Sequence, residues 1–235
     1  MRIIVDALGL VHRAHFGSRT NPTFDERGFD ISALTTVTLW LKRLRPVTGV
    51  SVLDLAWDCP GVPTWRHKEF PQYKMHRTDM ALPLASQLED IARGAYDLGY
   101  TNYRSPGFEA DDIIATLAPT RQAPQRTLIV SADKDMLQLV NENVSVKRPL
   151  GPTDQWPTFG PQQVRDEFGV EPGQVPTLLA LMGDKSDGIP GLRGVGVKKA
   201  MQMIREGRVP DTDEMALWTR LVTLRRDAPL ELWEV

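Results

Sequence analysis

TLIVSADKDMLQLV, residues 127–140, decides how the rest of the chain is read. Its first part, Thr127 to Ser131, is short, apolar and partly β-branched, as a buried parallel strand tends to be. It runs into two acids, Asp133 and Asp135, before an apolar run resumes. The same grammar occurs twice upstream. RIIV (Arg2 to Val5) leads to Asp6, and VSVLDLAW (Val50 to Trp57) leads to Asp58. Between these stretches the apolar spacing becomes helical. Leu34, Val37, Leu41 and Leu44 mark one helix over 31–44, Leu84, Leu88, Ile91 and Leu98 a second over 84–98, and Asp111 to Leu117 a third. Strand and helix in alternation predict an α/β fold with a largely parallel sheet. Ligands of such sheets bind outside the carboxyl ends of the strands, so Asp6, Asp58, Asp133 and Asp135 share one edge.

Composition sets bounds on function. The 235 residues suffice for one large α/β domain or a domain with a small appendage. No apolar run approaches the roughly 20 residues of a membrane span, so no membrane partner is expected. MRIIVDALGLVHRAHFG carries Asp6 inside its short apolar stretch, which argues against a signal peptide. The single cysteine, Cys59, excludes an intramolecular disulfide and fits a reducing cytoplasm, and it reads as a small hydrophobe at a strand end. A net charge of −2 argues weakly against a nucleic-acid binder. The average hides two basic stretches, however. RHKEFPQYKMHR (66–77) holds four Lys/Arg against one Glu, and residues 191–208 hold five against one. Acids collected in one metal-bound cluster would leave the remaining surface basic.

After a further strand at Asn143 to Arg148, helical patterns take over: Pro161 to Phe168, Gln174 to Met182, and Val195 to Arg205, separated by Gly/Pro turns. The expected division is an α/β core over 1–150 and a helical subdomain over 151–235. Residues 59–83 show neither a strand nor a core-helix period, and a stretch this long outside regular structure is usually functional or disordered.

Nine acids lie at strand ends or helix–loop junctions: Asp6, Asp58, Glu109, Asp111, Asp112, Asp133, Asp135, Asp184 and Asp187. Each group has an ordinary explanation alone. FEADD (108–112) complements a helix dipole, D-x-D after a strand makes a capped turn, and GDKSDG caps a helix and a turn. Together in one cleft they would repel and raise one another's pKa. Hard divalent cations resolve that conflict. A shell of oxygens without His or Cys points to Mg²⁺ or Mn²⁺ rather than zinc. More acids than one ion can use suggest two ions about 4 Å apart.

These motifs resemble the flap endonuclease family of 5′-nucleases, the type found in bacteriophages and in the 5′-nuclease domain of bacterial DNA polymerase I. The resemblance runs through Val5-Asp6, Trp57-Asp58, WRHKEFPQYKMHR (65–77), GFEADDIIATLA (107–118), SADKDMLQLV (131–140), LMGDKSDGIPGLRGVGVKKA (181–200) and TLRRDAPLEL (223–232). It implies a PIN-like fold with a central, mostly parallel sheet, a helical arch over 62–84 and a helix–three-turn–helix over 175–206. It also implies a monomeric, two-metal phosphodiesterase acting on 5′ ends or flaps of branched DNA, in a bacterial or phage-infected cytoplasm. Asp6, Asp58, Glu109, Asp111, Asp133 and Asp135 match the acids around a first metal, Asp184 and Asp187 those around a second, and Asp112 lies between the sets.

Further positions follow from the resemblance alone. Lys74 and Arg77 match basic residues at the base of the arch that act on the scissile phosphate, beside Asp133 and Asp135. Tyr73 matches an aromatic that stacks on an unpaired nucleotide, and Arg66 and His67 a basic pair entering the arch. The arch is expected to be poorly ordered without DNA. Arg193, Gly194, Gly196, Lys198 and Lys199 match the duplex-gripping turn. A K⁺ ion is expected there on backbone carbonyls around Val195, with help from Ser186. Such phosphate contacts carry no base information, so recognition should follow DNA structure rather than sequence.

The pattern departs in places. Ala7-Leu8 follows Asp6 where small polar residues are common, and Gly188 replaces the usual asparagine of an S-D-N triplet, which leaves the second-metal loop in question. With no polymerase domain or clamp-binding tail, the chain reads as a stand-alone nuclease. Two other readings stay open: a non-catalytic protein that binds branched DNA, and a PIN-type ribonuclease. A D-x-D phosphatase is set aside, because the residues after the first strand read D-A-L.

Overall fold

The computed structural model describes residues 1–45, 52–78, 80, 82–119, 125–150 and 155–235. Five strands run parallel: β1 (Arg2–Asp6), β2 (Val52–Ala56), β3 (Thr101–Arg104), β4 (Thr127–Val130) and β5 (Val144–Lys147). Two short strands, β6 (Thr158–Phe159) and β7 (Glu231–Leu232), pair antiparallel at the edges. The order is β6-β5-β4-β1-β2-β3-β7. The chain therefore winds outward from β1 through β2 and β3, then returns to place β4 on the other side of β1. That reversal between β1 and β4 is where an open α/β sheet leaves a crevice at its carboxyl edge. Asp6 ends β1 and Asp133 follows β4, so the two acids flank the crevice.

Strand side chains alternate between two faces. Ile3 and Val5 pack with α1 (Ala7–Gly17), α2 (Ser32–Leu44) and α5 (Leu88–Asp97), whereas Ile4 packs with α6 (Ala110–Leu117) and α8 (Val175–Met182). All three strand residues are fully buried. The remaining helices are α3 (Trp65–Glu69), α4 (Leu82–Ala85), α7 (Pro161–Phe168), α9 (Val197–Arg205) and α10 (Asp213–Val222). No helix among the described residues is long and apolar enough to cross a membrane.

Several elements differ from the sequence reading. The helix expected over 84–98 is two pieces, α4 and α5, separated at residues 86–87. Of the strand expected over 50–57, Val50 and Ser51 lie outside the described residues, and pairing covers Val52–Ala56. α1 starts immediately after Asp6 because that side chain caps it, accepting from the Gly9 amide at 2.9 Å. Ala7 is thereby a buried first-turn residue of α1, which accounts for a small apolar side chain directly after the strand-end acid. α3 appears inside the stretch without a period, since five residues are too few to display one.

Candidate active site

The acids meet in two adjoining hollows at the carboxyl edge of the sheet. One, about 510 Å³, is lined by Asp6, Asp58, Glu109, Asp111 and Asp133, with Lys74, Arg77, His12 and His67 on its wall. The other, about 350 Å³, is lined by Asp6, Asp133, Asp135, Asp184 and Asp187, with Lys134, Arg148 and Ser186. Asp6, Gly9 and Asp133 border both, so the two form one acidic cleft. Eight of the nine expected acids line it. Asp135 lines the smaller hollow only, beside Asp6 and Asp133 of its expected group and Asp184 and Asp187 of the other.

Five of these acids stand in no ion pair among the described residues: Asp6, Asp58, Asp111, Asp133 and Asp135. Asp6 accepts from Ser131 Oγ at 2.8 Å and from Gly9 N. A Cβ on residue 9 would fall 2.3 Å from Asp6 Oδ2, so only glycine fits beneath that carboxylate. Burial, against these two hydrogen bonds but with the charges of Asp58 and Asp133, pushes Asp6 up to about 6. Asp58 accepts from Ala110 N at the start of α6, yet burial still raises it. Burial and the nearby Asp133 and Asp6 raise Asp111 well above the carboxylate range. Asp135 is raised in the same way by burial and Asp133, and its Oδ1 is buried without a hydrogen-bond partner. Asp133 caps the 3₁₀ turn Lys134–Leu139 by accepting from Asp135 N.

The other acids are already matched with cations. Burial works against the Glu109 carboxylate, but Lys74 and Arg66 outweigh it and hold the group below its usual range. Lys74 Nζ lies 2.5 Å from Glu109 Oε1, and Arg66 Nη1 lies 3.0 Å from Oε2. Asp184 is likewise lowered despite burial, through Lys134 and Ser186. Asp187 pairs with Arg77 Nη2 at 2.8 Å.

Four expectations are corrected by this geometry. Asp112 faces away from the cleft and is fully buried. Its oxygens are held by a two-pronged Arg66 fork at 2.7 and 2.9 Å, by Trp65 Nε1 and by Arg225 N. In this arrangement its oxygens are spent on latching α6 to Arg66 and Trp65, away from the acids that line the cleft. Arg66 is only 2% exposed and also donates to Leu221 O, so it cannot enter an arch to meet DNA. Tyr73 is equally buried, with its hydroxyl 2.9 Å from both Glu109 Oε2 and Asp187 Oδ2, which leaves no ring face for a nucleotide. Ser186 spends its hydroxyl on Asp184 Oδ1 at 2.5 Å, in the cleft, and is not a partner of the Val195 turn.

The expected arch is thus anchored along its first half rather than loose. Lys74 N donates to Asp187 O, and Arg77 Nε donates to Ser186 O. Lys74 itself adopts φ 53°, a left-handed conformation that non-glycine residues keep mainly at functional sites. His67 caps α3, its Nδ1 lying 2.8 Å from Thr64 Oγ1, while its ring meets Tyr73 edge-on and borders the cleft. Asp79 and Ala81, farther along the same segment, lie outside the described residues. Gly188 sits at φ +75°, and a Cβ there would come 3.0 Å from Gln72 O. The departure from asparagine therefore goes with close seating of the 72–74 turn on the 184–188 loop.

Arg193, Gly194, Gly196, Lys198 and Lys199 are exposed together at the turn that opens α9, with Gly196 as its N-cap. The first amides of such a helix have no partner within it. Val195 is buried and closes the turn through its amide to Leu192 O.

Sequence reasoning missed Ser131, Lys134 and Arg148. Ser131 orients Asp6, and Arg148 tethers the Asp133 loop by two bonds to Ala132 O at 2.8 and 3.3 Å. No spacing signal marks these residues, because each acts across the sheet edge on a partner distant in sequence.

The donor set fits a hard divalent cation. Its carboxylates outnumber the nitrogen and sulfur groups of His12, His67 and Cys59 on the larger hollow's wall, four of its acids are raised by burial and mutual charge, and Asp135 Oδ1 is an orphan. Among the described residues no three acids are already gathered as a closed metal shell, so a cation would have to draw them inward.

The family pattern "5′-3′ exonuclease, N-terminal resolvase-like domain" matches residues 1–169, and "5′-3′ exonuclease, C-terminal SAM fold" matches 170–212. DNA polymerase I of Treponema pallidum is 35% identical over 237 residues, covering 96% of this chain but 23% of the polymerase. A 5′-3′ exonuclease of Aquifex aeolicus is 36% identical over 204 residues, covering 86% of this chain and 68% of that protein. The bacteriophage T5 D15 flap endonuclease, solved as a pseudo-enzyme-product complex with DNA and metal ions, has the same fold at 20% identity. Its TM-score is 0.65 over 94% of this chain and 85% of that one.

Proposed function

The chain belongs to the 5′-3′ exonuclease family, and from that premise we propose that it is a divalent-metal-dependent nuclease cutting phosphodiesters at 5′ ends or 5′ flaps of branched DNA. One observation carries the reading: five acids, Asp6 and Asp135 buried, Asp58 and Asp111 half-buried and Asp133 exposed, meet at the sheet's switch point without an ion-pair partner among the described residues. Such a cluster must take up protons or bind cations, and raised carboxylates gathered in a cleft are a mark of a functional site. The solved T5 relative, with DNA and metal ions bound, supports the same assignment.

Asp6, Asp58, Asp111, Asp133 and Asp135 would hold two Mg²⁺ or Mn²⁺ ions together with Asp184, Asp187 and Glu109. When bound, such ions supply hydroxide near neutral pH and offset the charge that builds on the phosphorus oxygens. The chain's own residues do the rest. Ser131 and Gly9 hold the Asp6 carboxylate in place across the crevice. Lys74 and Arg77 stand on the wall of the larger hollow, where a scissile phosphate would draw them from Glu109 and Asp187. A cation so placed contributes roughly 3–4 kcal/mol to transition-state stabilisation in comparable oxyanion sites. The exposed turn at 193–199 grips the duplex backbone with amides and lysines, and Val195 and its neighbours offer carbonyls to a K⁺ ion without help from Ser186. One chain supplies every acid of the cleft, so the site needs no second copy to be complete, in keeping with a monomer.

The test is cleavage of a 5′-flap oligonucleotide in Mg²⁺, beside nicked, blunt and RNA-primed duplexes. Cleavage that is lost in EDTA and in Asp133→Ala is expected. Intact binding of branched DNA without cleavage, or cleavage of RNA alone, would overturn the proposal.

A further inference from the structure

The smaller hollow holds an internal cation. Lys134 lies between Asp133 and Asp135 in sequence, and its Nζ sits 2.8 Å from Asp184 Oδ2. The other oxygen of Asp184, Oδ1, is already taken by the amide of Ser186 at 2.8 Å and by its hydroxyl. Oδ2 is therefore the oxygen that Asp184 has left for an incoming ion, and the lysine occupies it. Arg148, the other cation on this wall, is held elsewhere by Ala132 O. Lys74 and Arg77 border only the larger hollow and reach Glu109 and Asp187 from there.

We propose that Lys134 is a built-in competitor for the divalent ion of the smaller hollow, holding the 184–188 loop against the 133–135 turn until an ion displaces its ammonium from Asp184. The lysine does two opposing things. It keeps Asp184 close to Asp135, which favours filling the hollow, and it must leave Oδ2 when the hollow fills. Because its side chain is about one-third exposed (34%), the ammonium can swing into water without leaving a buried charge behind. Displacement is therefore cheap, and the lysine tunes the ion concentration at which the hollow fills rather than blocking it. The larger hollow keeps Asp58 and Asp111 outside any ion pair among the described residues, so its filling should not depend on Lys134.

This inference rests on the metal-dependent reading above, and its test does not use activity. Free Mn²⁺ is followed by electron paramagnetic resonance during titration of the wild type, Lys134→Met and Lys134→Arg, each checked for folding by circular dichroism. Two classes of bound Mn²⁺ are expected in the wild type. In Lys134→Met the weaker class tightens by about fivefold, the upper end of what partly exposed ion pairs are worth. Lys134→Arg keeps the competing charge and binds as the wild type does. A weaker class that is unchanged or loosened in Lys134→Met overturns the role of Lys134 while leaving the metal site intact. Absence of Mn²⁺ binding in all three proteins overturns the metal reading itself.

Discussion

Removing divalent ions should invert the usual relation between pH and stability, and Asp6 allows the effect to be sized. Its carboxyl is pushed up to about 6 by burial first, and then by the charges of Asp58 and Asp133. In the unfolded chain it titrates near 3.8. The folded state thus holds a proton between about pH 4 and pH 6 that the unfolded chain has released. The stability from that proton is fully present below about pH 4, is lost across the window and is gone once the pH has risen past the folded value. Lowering the pH from about 7 to about 5 should therefore stabilise the ion-free protein by roughly 1 kcal/mol from Asp6 alone. Asp58, Asp111 and Asp135 are raised too and act in the same direction. His12 opposes them, because burial and His15 lower its pKa and its charging on acidification disfavours the fold. The comparison that isolates Asp6 is with Asp6→Asn, whose amide oxygen can still accept from Gly9. Urea unfolding in EDTA at both pH values should show the wild type gaining about 1 kcal/mol more than the variant. Equal gains would mean that Asp6 is ionised at ordinary pH in the ion-free protein without cost, and unmatched charge could then no longer be the reason for a cation here.

Two further outcomes are expected from the packing. Arg66→Ala leaves Asp112 buried with its main partner gone and should cost about 3–5 kcal/mol in urea unfolding, as removal of one side of a buried ion pair does; a loss below about 1 kcal/mol would show that the latch is unimportant. Gly188→Ala meets both a left-handed backbone and Gln72 O at 3.0 Å, and should lower the melting temperature by a few degrees, on the order of 1 kcal/mol. Gly188→Asn should lose less, because asparagine tolerates that backbone region, and a larger loss than for alanine would refute the conformational explanation.

The legible parts of this protein were those written in local pattern. Strands that end in aspartate stand out because a buried parallel strand is uniformly apolar and its terminus is not. That is why β1, β2, β4 and their acids could be read directly. The edge strand β6 and α3 were not legible as periods, since two to five residues cannot display one. α1 was hidden for a different reason. Its N-cap is the same Asp6 that reads as a strand end, and one residue cannot announce both roles.

Side-chain direction was the larger gap. In FEADD, Asp111 and Asp112 are equivalent as text, yet adjacent helical residues point about 100° apart. One enters the cleft and the other meets Arg66 behind it. RHKEFPQYKMHR reads as a uniformly basic run, but the turn at 70–74 divides it. Arg66 and Tyr73 are drawn inward, while Lys74 and Arg77 are left at the cleft wall.

By itself, then, the sequence determined the α/β class and the sheet edge at which the acids gather, because strand pattern is a local property. Only the tertiary structure decided which acids are already matched by Lys74, Arg77, Lys134 and Arg66 and which remain unmatched. Pairing depends on a few ångströms between residues far apart in the chain, 110 positions for Arg77 and Asp187, and no spacing along the chain encodes that distance.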